Sequence, residues 1–471
     1  MTKINRRDFI KLSGATAALA GTPSILKAGE ESFEARVVVV GGGFAGATVA
    51  KYLRLWGAGA IKVTMVDKNP EHVSCVLSNL ILNDRLLLDD ITMSYDPLIN
   101  HGVIVKEGLV TKIEDNGGVK TVQLNNETSN TIQCDYVVLA PGIEFVDVPG
   151  LKEGDTNNFD DIPHAWIAGE QTEVLRQQLH DMPNDGTGVF VMTVPQSPYR
   201  CPPGPYERAC VVADYMLREK NGGKVIVLDP HADITIEKDT FNAAFTGIYK
   251  DIIEYIPNAK LISVNAEEKS LIIGQNDPDG AFIHEQNNPD GVPNQEPKNY
   301  SGDVVNVIPT HKAGKIIKDL DLNVGNWAPV DVRSYESTVK TGFYIIGDSN
   351  NSGQPKSGHM ANSQAKVCAD AIIRTIADSS KTLVHDETRL ANLKTNSACY
   401  SPITYNEASW LTAVFAYETV QNAENLTDDS FGKMSLVDES FGWSTGEDHW
   451  SAENFEDMFE WSRSLFSNTF G

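Results

Sequence analysis

Gly41, Gly43 and Gly46 stand in the spacing Gly-x-Gly-x-x-Gly, directly after the β-branched run Ala35 to Val40 and directly before the helical pattern Ala47 to Trp56. Few sequence features restrict a chain so strongly. The first glycine permits a tight strand-to-helix turn, the second lets backbone approach a pyrophosphate, and the third lets the helix pack closely on the strand. The helix start then presents free N–H groups and a positive dipole end to phosphate. A second strand, Ile61 to Val66, completes a βαβ unit, and Asp67 at its end, 21 residues beyond Gly46, is placed to accept hydrogen bonds from ribose hydroxyls. The pattern predicts a dinucleotide site built on Gly41, Gly43, Gly46 and Asp67.

The architecture recurs further along. An apolar strand, Tyr136 to Ala140, ends in Pro141-Gly142, and a second strand-helix-strand unit comprises Gly188 to Val194, Tyr206 to Glu219 and Lys224 to Leu228. Strand Gly342 to Ile346 ends in Gly347-Asp348, and Ser363 to Ile376 is helical by its apolar spacing. In proteins with two dinucleotide folds, a Gly-Asp pair at such a strand end meets the ribityl and phosphate part of FAD, so the cofactor expected is FAD, held also by Gly142, Gly347, Asp348 and Lys356. A helix is expected to begin in the run Pro355 to Gln364, its start facing the flavin's pyrimidine end, and His359 in that run reads as a surface or packing residue.

A chain of 471 residues exceeds one hydrophobic core. The expected fold class is α/β, with two Rossmann-like nucleotide-fold domains of the disulfide-reductase type plus a C-terminal interface region. Residues 31–149 and 309–384 form a discontinuous FAD-binding domain, 150–308 the second nucleotide-fold domain, and 385–471 the C-terminal region. Between Asn276 and Asp303 the chain is dense in Asn, Asp, Gly and Pro without periodicity and reads as an inserted surface loop.

Where a nicotinamide nucleotide would need its own glycine turn, the second unit reads Pro195-Gln196-Ser197-Pro198-Tyr199-Arg200-Cys201-Pro202-Pro203-Gly204-Pro205. The prolines and Arg200 leave poor access for a pyrophosphate, so no NAD(P) site is expected. Cys201 precedes the predicted helix, whose dipole is expected to lower the thiol's pKa and favour thiolate.

The N-terminus carries Asn5-Arg6-Arg7-Asp8-Phe9-Ile10-Lys11 ahead of a short apolar stretch, Leu12 to Leu26, the pattern of a twin-arginine export signal over residues 1–30. Cleavage between about Ala20 and Glu31 and a periplasmic mature protein follow, in a compartment where disulfides persist. The net charge of −25 argues against nucleic acid or an anionic membrane surface as partner. From Ser401 to Gly471 there are 13 Asp or Glu against two basic residues, Lys433 and Arg463, which suits either steering of a basic partner or a solvated surface.

Taken together, these residues resemble the flavoprotein subunit of flavocytochrome c sulfide dehydrogenase. The likeness runs along most of the chain and is carried by Val37 to Tyr52, Ser74 to Asn79 (Ser-Cys-Val-Leu-Ser-Asn), Ala140 to Glu144, Pro163 to Glu170, Arg200 to Ala209, Ile308 to Lys315, Ile346 to Lys366 and Cys399 to Ser401. Spacing alone pairs none of the six cysteines. The resemblance implies that Cys75 joins a ring methyl of FAD through a thioether, and that Cys201 and Cys399 form a redox-active disulfide beside the flavin. It gives Glu207 as a carboxylate near the active centre that shuttles protons, and Trp461 as a tail residue near the flavin. Cys134, Cys210 and Cys368 read as buried thiols. The implied activity is FAD-dependent oxidation of sulfide to sulfur or polysulfide, with electrons passed to a cytochrome c subunit in a heterodimer. The chain has no Cys-x-x-Cys-His, hence no c-type haem of its own. No metal site and no transmembrane helix are expected.

Two other readings stay open. One is an enzyme like sulfide:quinone oxidoreductase, touching a membrane through Phe455 to Phe466, where apolar and polar residues alternate. The other is a non-catalytic flavin electron carrier of a sulfur-oxidation complex. A NAD(P)H-dependent disulfide reductase is disfavoured by the missing second glycine turn. The 276–303 insertion and the acidic tail depart from the family.

Overall fold

A computed structural model describes residues 34–471 except 126, 155, 276–295, 420–431 and 442–448. The export signal, most of the 276–303 insertion and two stretches of the acidic tail lie outside the described residues.

Strand β1 (Ala35–Val40) is an interior strand of a seven-stranded sheet. It pairs in parallel with β2 (Ile61–Asp67) on one side and β3 (Tyr136–Leu139) on the other. Ile104–Glu107 extends the sheet beyond β2, while a later strand, Phe343–Ile345, lies parallel to β3. Val37, Val38, Val39, Val63, Met65, Val137 and Val138 are almost entirely buried, because helices and connections cover both faces. Helix α1 (Phe44–Trp56) begins three residues earlier than the apolar spacing suggested. Gly43 is its extended N-cap, and Phe44, Ala45 and Gly46 are all buried, so its first turn carries no amphipathic signal.

The second unit repeats the theme. Strand β4 (Val189–Thr193), helix α2 (Gly204–Glu219) and strand β5 (Lys224–Leu228) build a four-stranded parallel sheet with Ile253–Ile256 and Val304–Asn306 at its edges. The 276–303 segment is not wholly loop: Lys298–Ser301 pairs with Ser270–Gln275 in a small antiparallel sheet. Pairing by main-chain hydrogen bonds needs no apolar periodicity, which is why its polar sequence concealed it.

Helix α3 (Gly358–Ala377) starts within the run Pro355 to Gln364, ahead of the Ser363 limit of its apolar spacing, and its N-cap is Ser357, whose hydroxyl accepts the Met360 N–H at 3.1 Å. Beyond it, β6 (Lys394–Thr404), β7 (Glu407–Glu418) and β8 (Lys433–Phe441) form an antiparallel sheet in that order. Strand β6 packs on both α2 and α3, and so ties the C-terminal sheet to both nucleotide-fold sheets.

The tail is a helix, α4 (Ala452–Phe470), and not an alternating segment. Phe455, Met458, Ser462, Leu465 and Thr469 are buried at spacings of three and four, a 3.6-residue period that faces the protein. Among the described residues no helix is long and apolar enough to cross a membrane.

The C-terminal end of α4 is held by a cation. Lys51, buried in α1, donates from Nζ to Ser467 O at 3.0 Å and Asn468 O at 3.1 Å, where free carbonyls and the negative dipole end favour positive charge. Lys51→Met keeps the apolar stem and strands those carbonyls. Loss of about 1–3 kcal/mol of stability is expected, read as a lower melting midpoint with earlier proteolysis within α4.

Candidate active site

The glycine turn works by steric exclusion. Gly41 has φ +100°, and a Cβ there would lie 2.3 Å from Ala140 O; a Cβ on Gly46 would lie 1.8 Å from Gly41 O. Gly43 differs, since a Cβ there would meet only the His72 ring, at 3.5 Å, on the side of a cavity of about 620 Å³. The turn therefore leaves space at the position where a pyrophosphate needs it. At the end of β2, Asp67 Oδ2 accepts the Gly42 N–H at 2.6 Å and Oδ1 the Asn69 N–H at 2.8 Å.

That cavity gathers residues distant in sequence. Gly41, Gly43, Asp67, Cys75, Gly142, Cys201, Glu207, Gly347, Asp348, Cys399 and Trp461 all line it. Two expected cofactor residues do not. Gly46 lies behind the turn as the helix contact. Lys356 turns its ammonium to Asp348 O at 2.9 Å and Asn350 O at 2.7 Å, over the Trp327 ring, and so supports the loop that carries Asp348.

The residues fit FAD. Asp348 Oδ1 is buried without a hydrogen-bond partner, as is Trp166 Nε1, and both residues line the cavity. Buried polar atoms are seldom left unpaired, so a polar ligand is the economical reading. The start of α1 at Gly43 has no side-chain cap, leaving its N–H groups for phosphate. Gly358 and His359, at the start of α3, face the cavity as well. His359 is a cross-brace and not a surface residue: its Nδ1 accepts from Ala398 N at 3.1 Å and Trp461 Nε1 at 3.3 Å, joining α3, β6 and α4.

Cys201 and Cys399 both line the cavity, one on the loop before α2 and one on β6. All six cysteines are thiols in this structure, with Cys134, Cys210 and Cys368 buried. Cys75 sits beside the Trp166 carbonyl, at 3.6 Å.

Known proteins match this arrangement. The family described as sulfide dehydrogenase [flavocytochrome c] flavoprotein chain, central, matches residues 172–309; pyridine nucleotide-disulphide oxidoreductase matches 35–171; and a twin-arginine translocation signal matches 3–23. A sulfide dehydrogenase [flavocytochrome c] flavoprotein chain from Chlorobaculum thiosulfatiphilum is 52% identical over 46 residues, 10% of this chain and 94% of that sequence. This chain belongs to the flavocytochrome c sulfide dehydrogenase flavoprotein family. It is thus an FAD-binding oxidoreductase with a Tat export signal. In fold it is similar to sulfide:quinone oxidoreductase from Aquifex aeolicus, at 14% identity and TM-score 0.66 over 92% of each chain. It also resembles a NAD-dependent persulfide reductase from A. fulgidus, at 13% identity and TM-score 0.52 over 92% of this chain and 77% of that one.

The second nucleotide-fold sheet of this flavoprotein has spent its ribose carboxylate. Asp229, just past β5, is fully buried, with Oδ2 accepting Tyr206 OH at 2.7 Å and Tyr255 OH at 2.9 Å and Oδ1 accepting the His231 N–H at 2.8 Å. The carboxylate that a dinucleotide would grip instead ties α2 to its own sheet.

The electrostatics correct the expectation of a thiolate at Cys201. Helix α2 starts only at Gly204, and Cys201 lies in a left-handed conformation, φ +57°, on the loop before it. Burial pushes its thiol well above the ordinary value, with Cys399 and Glu207 adding to the rise; Arg200 and the Gly204 N–H offset only part of it. Burial likewise pushes Cys399 up to about 12, helped by Glu237 and Glu207. Desolvation exceeds what Arg200 and the Gly204 N–H offset here.

Glu207 is in the first turn of α2 and 7% exposed. Burial pushes it up to about 8, with the charge of Glu237 adding, although Asn79 Nδ2 donates to its Oε1 at 2.8 Å. Sequence reasoning missed its neighbour, Arg208, which is 1% exposed and bonded to Asn79 Oδ1, Asn306 Oδ1, His164 O and Ala165 O. Its charge fixes the loop that carries Trp166 against the cavity. Nothing in the sequence around Arg208 sets it apart from a helical surface arginine.

Because Glu207 keeps its proton to about pH 8 in the folded protein but ionises near the ordinary carboxylate value when unfolded, stability falls as pH rises between those limits. One such group contributes up to about 1.4 kcal/mol per pH unit. Glu207→Gln removes the contribution, so its melting midpoint is expected to fall less steeply than the wild type's from about pH 5 to about pH 8. Parallel profiles would show that Glu207 is ionised in the folded state.

Proposed function

We propose that this flavoprotein, exported to the periplasm, oxidises sulfide through a Cys201–Cys399 disulfide and hands the electrons to a separate cytochrome c subunit. The observation that carries the reading is the meeting of the two cysteines in the one cavity whose other walls are the glycine turn, Asp67 and Gly347-Asp348. In this reading residues 31–149 with 309–384 hold FAD, 150–308 supply Cys201, and 385–471 supply Cys399 and the face toward the partner.

Hydrosulfide attacks one sulfur of the disulfide. The S–S bond between the cysteines breaks, a new S–S bond forms to the incoming sulfur, and the products are a persulfide on one cysteine and a thiolate on the other. The protein's part is to offset the cost of that thiolate in a desolvated site. Arg200 supplies positive charge to Cys201, and the Gly204 N–H a hydrogen bond. Glu207, neutral at neutral pH, acts as the proton donor and acceptor beside the pair, oriented by the Asn79 amide. FAD held by Gly41, Gly43, Asp67, Gly142, Gly347 and Asp348, and joined to Cys75, supplies a two-electron acceptor able to release electrons singly. Trp166 and Trp461 form part of the cavity's wall. Contact with a membrane quinone fits less well, because the apolar stripe of α4 is spent on the protein's own core.

Two measurements test the proposal. With flavin and a cytochrome acceptor present, Cys399→Ser is expected to lose sulfide-dependent reduction by a factor of about 10² or more, as loss of a covalent nucleophilic step does. Turnover at the wild-type rate would remove the disulfide from the mechanism. Acid precipitation is expected to leave yellow flavin on wild type and release it from Cys75→Ser; free flavin from both would rule out the thioether.

A further inference from the structure

Behind Cys399, outside the cavity, lies a carboxylate that the mechanism above does not use. Glu237 is 2% exposed and follows β5 in a left-handed conformation, φ +47°. Its Oε2 accepts Ser401 Oγ at 2.8 Å and its Oε1 accepts Ser409 Oγ at 2.6 Å. Both serines are fully buried. Ser401 stands two residues beyond Cys399 on β6, hence on the same face of the strand, and Ser409 is its direct cross-strand partner on β7. One carboxylate from the connection after β5 therefore grips a paired rung of the sheet that carries Cys399.

A neutral acceptor could hold two serines, and a buried carboxylate is costly to keep. No lysine, arginine or histidine forms an ion pair with Glu237 among the described residues. The titratable groups that feel its charge are Glu207 and Cys210 on α2 and Cys399 on β6. Burial pushes Glu237 itself up to about 7 and the two serines pull it back, so it is ionised in mildly alkaline solution. Its charge then reaches both a proposed redox thiol and the proposed proton carrier.

We propose that Glu237 is a positioning residue of the redox site, holding the Cys399 strand against the second nucleotide-fold sheet and setting the negative field in which Cys399 and Glu207 work. The assignment rests on the roles proposed above for those two residues, but its principal test needs no sulfide turnover. The full-length, flavin-loaded protein is reduced, and alkylation of Cys399 by iodoacetamide is followed by mass spectrometry against pH. Glu237→Gln keeps the shape and removes the charge. The pH at which Cys399 half-reacts is expected to fall, and at a fixed alkaline pH below that point each unit of fall makes labelling about tenfold faster. Glu237→Ser, which also removes the charge and leaves room for water between the two serines, decides by the same criterion if Glu237→Gln does not fold.

The pH profile of sulfide-dependent flavin bleaching is the second readout, since loss of the charge lowers the pH at which Glu207 gives up its proton. An unchanged half-reaction pH at Cys399 in a variant that melts like wild type would overturn the proposal and leave Glu237 as a plain structural tie. A shifted Cys399 in a protein whose wild type shows no sulfide-dependent bleaching would uphold the Glu237 assignment and sink the sulfide reading instead.

Discussion

Helix α1 rests on its own turn so closely that a single methyl group at Gly46 would overlap the Gly41 carbonyl. Much of the site follows from that contact. It brings the uncapped start of α1 to the ends of β1 and β2, where Asp67 waits, and it presents Gly43 to open space. The far end of the same neighbourhood receives α4, whose terminal carbonyls close on Lys51 and whose Phe466 and Phe470 rings pack near Phe44, the first residue of α1. The phosphate turn and the tail of the chain are thus two sides of one helix.

Desolvation governs the chemistry of the remainder. Cys201, Cys399, Glu207 and Arg208 line one cavity, the two cysteines half-buried and the other two buried, and burial leads every one of their shifts. Thiols and the carboxyl are held neutral while Arg208 stays charged on a ring of carbonyl and amide oxygens. Such a site resists thiolate formation until a reagent forces it. This is compatible with a disulfide waiting as an electrophile and less so with a resting thiolate nucleophile. The persulfide chemistry proposed here therefore places its burden on the few groups that offset burial.

Much of the first nucleotide fold was legible because its requirements are local. Ala35 to Val40, the glycine spacing and Asp67 sit within one short βαβ unit, and each residue type there answers a backbone need. The start of α1 at Phe44 was less legible, because glycine and a wholly buried first turn erase the amphipathic period. Helix α4 was misread because Phe459 and Trp461 widen its apolar stripe until it imitates alternation. At Cys201 the helix dipole was foreseen, whereas the burial that pushes the thiol up depends on β6 arriving from about two hundred residues downstream.

The sequence by itself determined the tight strand-to-helix turn at Gly41 to Gly46, because the spacing of three glycines encodes a backbone path that side chains would block. Only the tertiary structure decided that Cys201, Cys399, Glu207 and Arg208 line one cavity, and that Glu237 grips the sheet that carries Cys399. The physical reason is range. Backbone conformation is fixed by neighbours in sequence, whereas the energy of a buried charge depends on what the whole fold packs around it.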